Sequence, residues 1–364
     1  MSPGPAMRPD LTYNHAMSQI TLVLPFALPV PEFAPDLVRA LQAPGLAALL
    51  SRSARQRRLP ADETVRALPH EQWLARTLGL DAGGRPAFAA AAMRAYGLDP
   101  ANGTWFIVNP VHIEIARTHL MMGDPQGLGL SGEDSRALFD AARPYVEEAG
   151  HALLYGDAQT WFLRADDWRE LDTATPGAAL GMDLTDWMPA GARAAAFRRL
   201  QNEIQILWHT HPVNAAREAR RQPPVNAFWP WGAGAGAGAA SVTPFATPAA
   251  RVRLAAVDTP AWLTRLADAS PADLAQFAAT IEGDTLLVCG SVAPYALAAD
   301  WGGWVATMGQ LETGLFAPIL ESLKSGRLRE VRLVLSHRDA LAEFTTNAMA
   351  QRKFWRRPTL DSLL

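Results

Sequence analysis

The sequence has little cysteine, no long apolar run and no surplus of positive charge. A single cysteine, Cys289, in 364 residues excludes an intrachain disulfide and suits a reducing, cytoplasmic setting. Residues 20–30 form an apolar stretch that carries Pro25 and Pro29, well short of the roughly 20 residues a membrane-spanning helix needs. The stretch reads as a buried strand with its exit loop, so no membrane partner is expected. A net charge of −3 demands no basic face and gives nucleic-acid binding no support. The first 17 residues, MSPGPAMRPDLTYNHAM, lack the apolar core of a secretory signal. They read as a disordered extension, with Met17 as an alternative start. Gly-x-Ser-x-Gly, Walker and Cys-x-x-Cys patterns are also missing.

What is present is material for a packed core. Hydrophobic residues make up 49% of the chain and charged residues 19%, enough for one large α/β domain or two medium ones. Apolar, β-branched runs at 20–26, 105–108, 251–257, 285–291 and 330–336 read as strands. Residues 35–53 read as a helix interrupted at Pro44-Gly45, followed by helices at 62–79 and 86–96. Ser131, with Asp134 three residues on, starts a helix over 131–148. HALLYGDAQTWFLRA reads as a hairpin turning at Gly156-Asp157. Further helices are expected at 193–211, 301–325 and in parts of 259–279. Alternating strands and helices predict an α/β fold, a mostly parallel sheet with helices on both faces. In such sheets ligands bind beyond the carboxyl ends of the strands. That rule singles out the loops after Phe26, Ser291 and Ser336.

The densest polar cluster runs from His209 to Gly232. Phe197, Leu200, Ile204, Leu207 and His211 fall on one helical stripe. On a helix His209 and His211 point about 200° apart, so they do not share a metal and none is assigned. An anion site fits better. Arg217 offers a bidentate fork, Asn214 and Asn226 offer side-chain N–H donors, and Trp229 and Trp231 offer an apolar wall. His211 joins this set, and His112, just past a strand, could face the same cleft. Each has a plain structural alternative. His211 would be a core histidine and His112 a surface one. Arg217, Arg220 and Arg221 would be a solvated helix end, and the tryptophans would be core. GAGAGAGAA (232–240) has no strand before it, so it reads as a low-complexity mobile loop and not as a dinucleotide fingerprint. Cys289 reads as an inert core residue. Near the end, FWRRP offers Arg356 and Arg357, either packing a tail onto the body or adding to an anionic site.

The segment HPVNAAREARRQPPVNAFWPWGAG resembles one found in archaeal-type cofactor-independent phosphoglycerate mutases, members of the alkaline phosphatase superfamily. Nearly end to end, through NPVHIEIARTHLMM, LQNEIQILWHTHPVN and the terminal FWRRP, the chain is similar to RpfE-type regulatory proteins of proteobacteria. The resemblance implies an alkaline-phosphatase-like core over 18–60 and 190–364, with 61–190 as an inserted or cap α+β portion. It also implies what a working mutase should carry: an aspartate after the first strand, a nucleophilic serine, an Asp…Gly-His pattern and a final Asp-His. Here LPFALPVPEF has only Glu32, Asp300 is followed by no histidine, and the last strand ends Ser336-His337. Two adjacent divalent cations need several carboxylate and imidazole ligands.

The expectation is therefore a regulatory or ligand-sensing protein on a degenerate mutase-like scaffold, without catalysis and without a cofactor. It would bind a small phosphorylated or carboxylated metabolite through His211, Asn214, Arg217 and Asn226, with a protein partner as a further prospect. The alternative is a divergent mutase or phosphatase dependent on a divalent metal. A third reading is a protein-interaction module using the tryptophan-rich surface.

Overall fold

The computed structural model describes residues 18–61, 65–101, 103–116, 119–235 and 252–364. The N-terminal extension and the part of GAGAGAGAA beyond residue 235 lie outside them. The strands are β1 (Ser18–Leu24), β2 (Arg55–Pro60), β3 (Asp81–Ala82), β4 (Arg85–Pro86), β5 (Thr104–Val111), β6 (Ile113–Ala116), β7 (His119–Met122), β8 (Ala152–Tyr155), β9 (Trp161–Arg164), β10 (Ala227–Ala235), β11 (Arg253–Val257), β12 (Thr285–Cys289), β13 (Leu328–Ser336) and β14 (Ala340–Asn347).

Six of them form one sheet in the order β11-β12-β1-β13-β14-β2. The first four run parallel, and β14 and β2 add antiparallel pairings at one side. The sequence explains the arrangement. β1 is buried on both faces: Ile20, Leu22 and Leu24 enter one core and Val23 the other, the period-two alternation of a strand. One face is covered by helices Pro44–Ser51, Trp301–Leu311 and Ala317–Lys324, through Leu46, Leu49, Trp304, Met308 and Ile319. The other face meets helices Pro69–Thr77, Ala89–Ala95 and Ala261–Leu266. The α/β class with helices on both faces is thus as expected.

A second, antiparallel sheet has the order β10-β5-β9-β8. Trp105 and Ile107 of β5 point to the core shared with the first sheet, while Phe106 and Val108 point away. The far side is covered by helices Gly132–Glu148 and Ala194–His209. Ser131 caps the first of these by accepting from Asp134 N–H, 3.0 Å. The hairpin around Gly156-Asp157 is β8-β9. Two short hairpins, β3-β4 and β6-β7, complete the strand set. No helix among the described residues is long and apolar enough to cross a membrane.

The structure departs from the sequence reading at informative places. β10 pairs with β5, so the WPW segment lies in the second sheet. Residues 232–235 are strand, not loop. The 193–211 helix stops at His209, because Pro212 forces His211 into extended backbone, φ −74° and ψ 136°. His211 therefore leaves the stripe and caps the next helix, Pro212–Ala219, by accepting from Val213 N–H at 3.2 Å.

A candidate ligand cleft at the carboxyl ends of the strands

One cleft opens where the ligand rule places it, beyond the carboxyl ends of β1, β11 and β12, with the second sheet as its opposite wall. Its volume is about 160 Å³, well above the roughly 10–15 Å³ that one water needs. Pro25 and Phe26 follow β1, Asp258 to Trp262 follow β11, and Gly290 follows β12; Asn109 and Trp231 come from the second sheet. Phe88, Trp231 and Trp262 pack mutually, with ring centroids 4.7 to 6.2 Å apart.

Two non-glycine residues at strand ends line this cleft in left-handed backbone: Phe26, φ 60°, and Asp258, φ 51°. Such conformations are costly and concentrate at functional sites. Each is held in place. The Phe26 carbonyl accepts from Trp304 Nε1 at 2.9 Å, and the Asp258 carboxylate accepts from Ser291 Oγ. Gly290 is required beside Asp258, because any side chain there would collide with the Asp258 carbonyl.

Two titratable neighbours enter from the start of helix Pro69–Thr77. His70 Nδ1 lies 3.1 Å from Ser336 Oγ, at the end of β13. Its ring packs edge-on against Phe26, with centroids 5.9 Å apart. Burial lowers the His70 pKa to about 3, so the imidazole is neutral. Glu71 Oε2 accepts from Leu68 N–H at 2.7 Å and from Thr175 Oγ1–H at 2.6 Å. Burial pushes the Glu71 carboxyl up to about 7, against the opposing pull of Thr175, Leu68 and Arg338. Since Oε2 already serves two donors, the proton belongs on Oε1, for which the structure records no hydrogen bond.

Arg338 is committed elsewhere, donating to the carbonyls of Ala178 and Leu180 at 2.8 and 2.7 Å. Among the described residues no arginine or lysine lines the cleft, whereas Glu71, Asp124 and Asp258 do.

Of the residues singled out from sequence, only Trp231 lines this cleft. The others hold the chain together. Arg217 is fully buried and donates to the carbonyls of Pro223 (2.9 Å), Leu128 (2.6 Å) and Gly129 (3.5 Å). The free fork expected from sequence is therefore not available to an anion. Asn214 bridges Trp208 O and Val225 O and accepts from Val225 N–H. Asn226 makes a reciprocal pair with the main chain of Ile113, 2.7 and 2.8 Å. His112 Nδ1 meets the Pro224 carbonyl at 2.8 Å. Trp229 donates to Ala174 O, 2.7 Å, and Trp231 to Asn109 Oδ1, 2.6 Å. Asn214 and Asn226 do border a separate depression beside His209 and Thr210. Most polar side-chain atoms of the HPVN…WPWG segment are spent on main-chain partners, which gives its pattern a structural reason.

The fold is shared with known structures. The PH0037 protein from Pyrococcus horikoshii matches with a TM-score of 0.56 and 12% identity, over 95% of this chain and 92% of that one. The cofactor-independent phosphoglycerate mutase from Thermoplasma acidophilum matches with a TM-score of 0.47 and 14% identity, over 95% and 94%. At such identities the likeness concerns the fold alone. No protein-family model and no curated protein matches the chain.

The residues at the strand ends do not fit a pair of divalent cations. Pro25 and Phe26 stand after β1. His337 Nδ1 accepts from the Asp339 N–H at 3.0 Å, and the nearby Asp339 carboxylate is exposed. Among the described residues no three histidine, cysteine or acidic side chains converge as metal ligands would.

Proposed function

We propose that the protein is a ligand-sensing regulatory protein on a mutase-like α/β scaffold, and that its ligand occupies the cleft beneath Trp231 and Trp262. The observation that carries this reading is the convergence of His70, Glu71 and Asp258 in an aromatic-walled cavity at the carboxyl ends of the parallel strands. Strained backbone at Phe26 and Asp258 supports it. The lining favours a small, partly apolar molecule that is neutral or carries an amine. A phosphate or carboxylate would meet acidic side chains, with no cation among the described lining residues to pair it. This replaces the anionic metabolite expected from Arg217. The metal-dependent mutase or phosphatase reading finds no ligand set among the described residues.

The test is a thermal-shift and tryptophan-fluorescence screen with neutral, amine-bearing and phosphorylated metabolites. A neutral or amine-bearing hit should weaken about tenfold or more in Trp262→Ala, the loss of a well-packed aromatic contact. Binding confined to phosphorylated compounds, or unaffected by Trp262→Ala, would overturn the proposal.

A further inference from the structure

The C-terminal FWRRP motif takes no part in the cleft, and the structure presents it in an unusual way. Arg356 N–H donates to the Lys353 carbonyl at 3.0 Å. That closes a tight turn with Phe354 and Trp355 at its tip. These two side chains are 84% and 68% exposed, and Met349 beside the turn is 79% exposed. The rings pack edge to face on each other, centroids 5.2 Å apart, and bury little else.

The turn is fastened to the body. Arg52 donates to the Arg356 carbonyl (3.3 Å) and the Gln351 carbonyl (3.5 Å), and Arg356 donates back to the Ser51 carbonyl (3.3 Å). Anchoring of this kind spares an ordering cost on binding.

The charge around the turn is one-sided. Segments 52–60 and 348–357 hold eight arginines and lysines and no acid. The whole chain is −3, so the rest of it carries −11. β2 brings the first segment alongside β14, which leads directly into the second. Glu343, across the strand pair from Arg57, is already held by Arg332.

We propose that this turn is a docking wedge for an anionic lipid bilayer surface. The aromatic tip would sit at the headgroup level and the flanking cations would pair with acidic lipids. A convex tip offers no groove for a peptide side chain, so a yielding surface suits it better than a partner protein. The sequence-based expectation of no membrane partner rested on the lack of a spanning segment, and peripheral docking needs none.

The test is co-sedimentation of the full chain with phosphatidylcholine vesicles and with vesicles containing phosphatidylserine. Wild type should partition about tenfold or more in favour of the anionic vesicles at low salt, and lose that preference as salt rises. The Phe354→Ala/Trp355→Ala protein, whose altered side chains are mostly solvent-exposed, should lose about tenfold in binding. Lys353→Glu/Arg357→Glu should lose the anionic preference. Equal binding to both vesicles, or unchanged binding by Phe354→Ala/Trp355→Ala, would overturn the proposal. So would light scattering showing a dimer that the aromatic double variant dissociates, since a second copy would then be the occupant.

Discussion

His70 Nδ1 lies 3.1 Å from Ser336 Oγ, joining the first turn of a helix that borders the cleft to the end of a parallel strand. The pair ties the stability of the cleft to pH. Burial holds the folded His70 pKa near 3, below its ordinary value of 6.5. A lowered pKa contributes stability that is complete above the unfolded value and lost as pH falls through the window from 6.5 to 3. The His70 contribution should therefore be lost on acidification in this window. His70→Gln keeps a polar partner for Ser336 and should flatten that acid limb. Urea melts across the window check this, and an unchanged slope in His70→Gln would contradict it.

Glu71 acts with the opposite sign. Its folded pKa, about 7, lies above the ordinary 4.5. The contribution is therefore complete below 4.5 and is lost as pH rises through 7. Glu71→Gln imitates the protonated acid and can still accept from Leu68 and Thr175. It should gain about 1–3 kcal/mol on wild type above neutral pH, the scale of a pKa shift of this size. A ligand that accepts a hydrogen bond from Oε1 should bind wild type more weakly above pH 7. Glu71→Gln should remove that pH dependence.

Arg217 is assigned to structure, not to ligand. Its removal leaves three main-chain carbonyls short of a donor in the interior. Arg217→Ala should cost about 2–4 kcal/mol by denaturant titration, since buried polar groups left unpaired cost about 1–3 kcal/mol each. At a temperature where the variant is still folded, its affinity for a cleft ligand should match wild type. A large affinity loss in a folded Arg217→Ala protein would return the site to the HPVN segment.

Glu312 is buried and accepts from Gly45 N–H (2.7 Å) and Leu46 N–H (3.0 Å), capping helix Pro44–Ser51 from the opposite end of the sequence. Glu312→Ala should cost about 2 kcal/mol or more, combining a lost charged cap with two unpaired donors. A melting temperature equal to wild type would contradict this.

The parallel sheet was legible because β1, β12 and β13 are apolar runs that only a doubly covered sheet explains. β2 was not, since RQRRLP is almost fully exposed and its arginines mark a charged sheet edge, not a core strand. β10 was hidden by its own polar neighbours. Asn214, Arg217 and Asn226 looked like ligand-binding groups because composition cannot tell a donor aimed at solvent from one aimed at a carbonyl. His70 and Glu71 gave only an ordinary helix-start signal, LPHE. What makes them notable is the packing of His70 against Phe26 and Ser336 and the bond of Glu71 to Thr175, which long-range folding supplies. The left-handed backbone of Phe26 and Asp258 leaves no mark on residue type.

The most direct measurement of the central claim is fragment capture by introduced cysteines. The native Cys289 is buried, and burial raises its pKa, so its background reactivity should be low. Thr259→Cys places a thiol in the cleft, and Thr210→Cys places one in the depression beside Asn214 and Asn226. With a library of disulfide-bearing fragments and mass-spectrometric readout, the account predicts about tenfold more strongly retained fragments at 259 than at 210, as expected where packed aromatic rings wall the site. Equal capture at the two positions, or preference for 210, would contradict it.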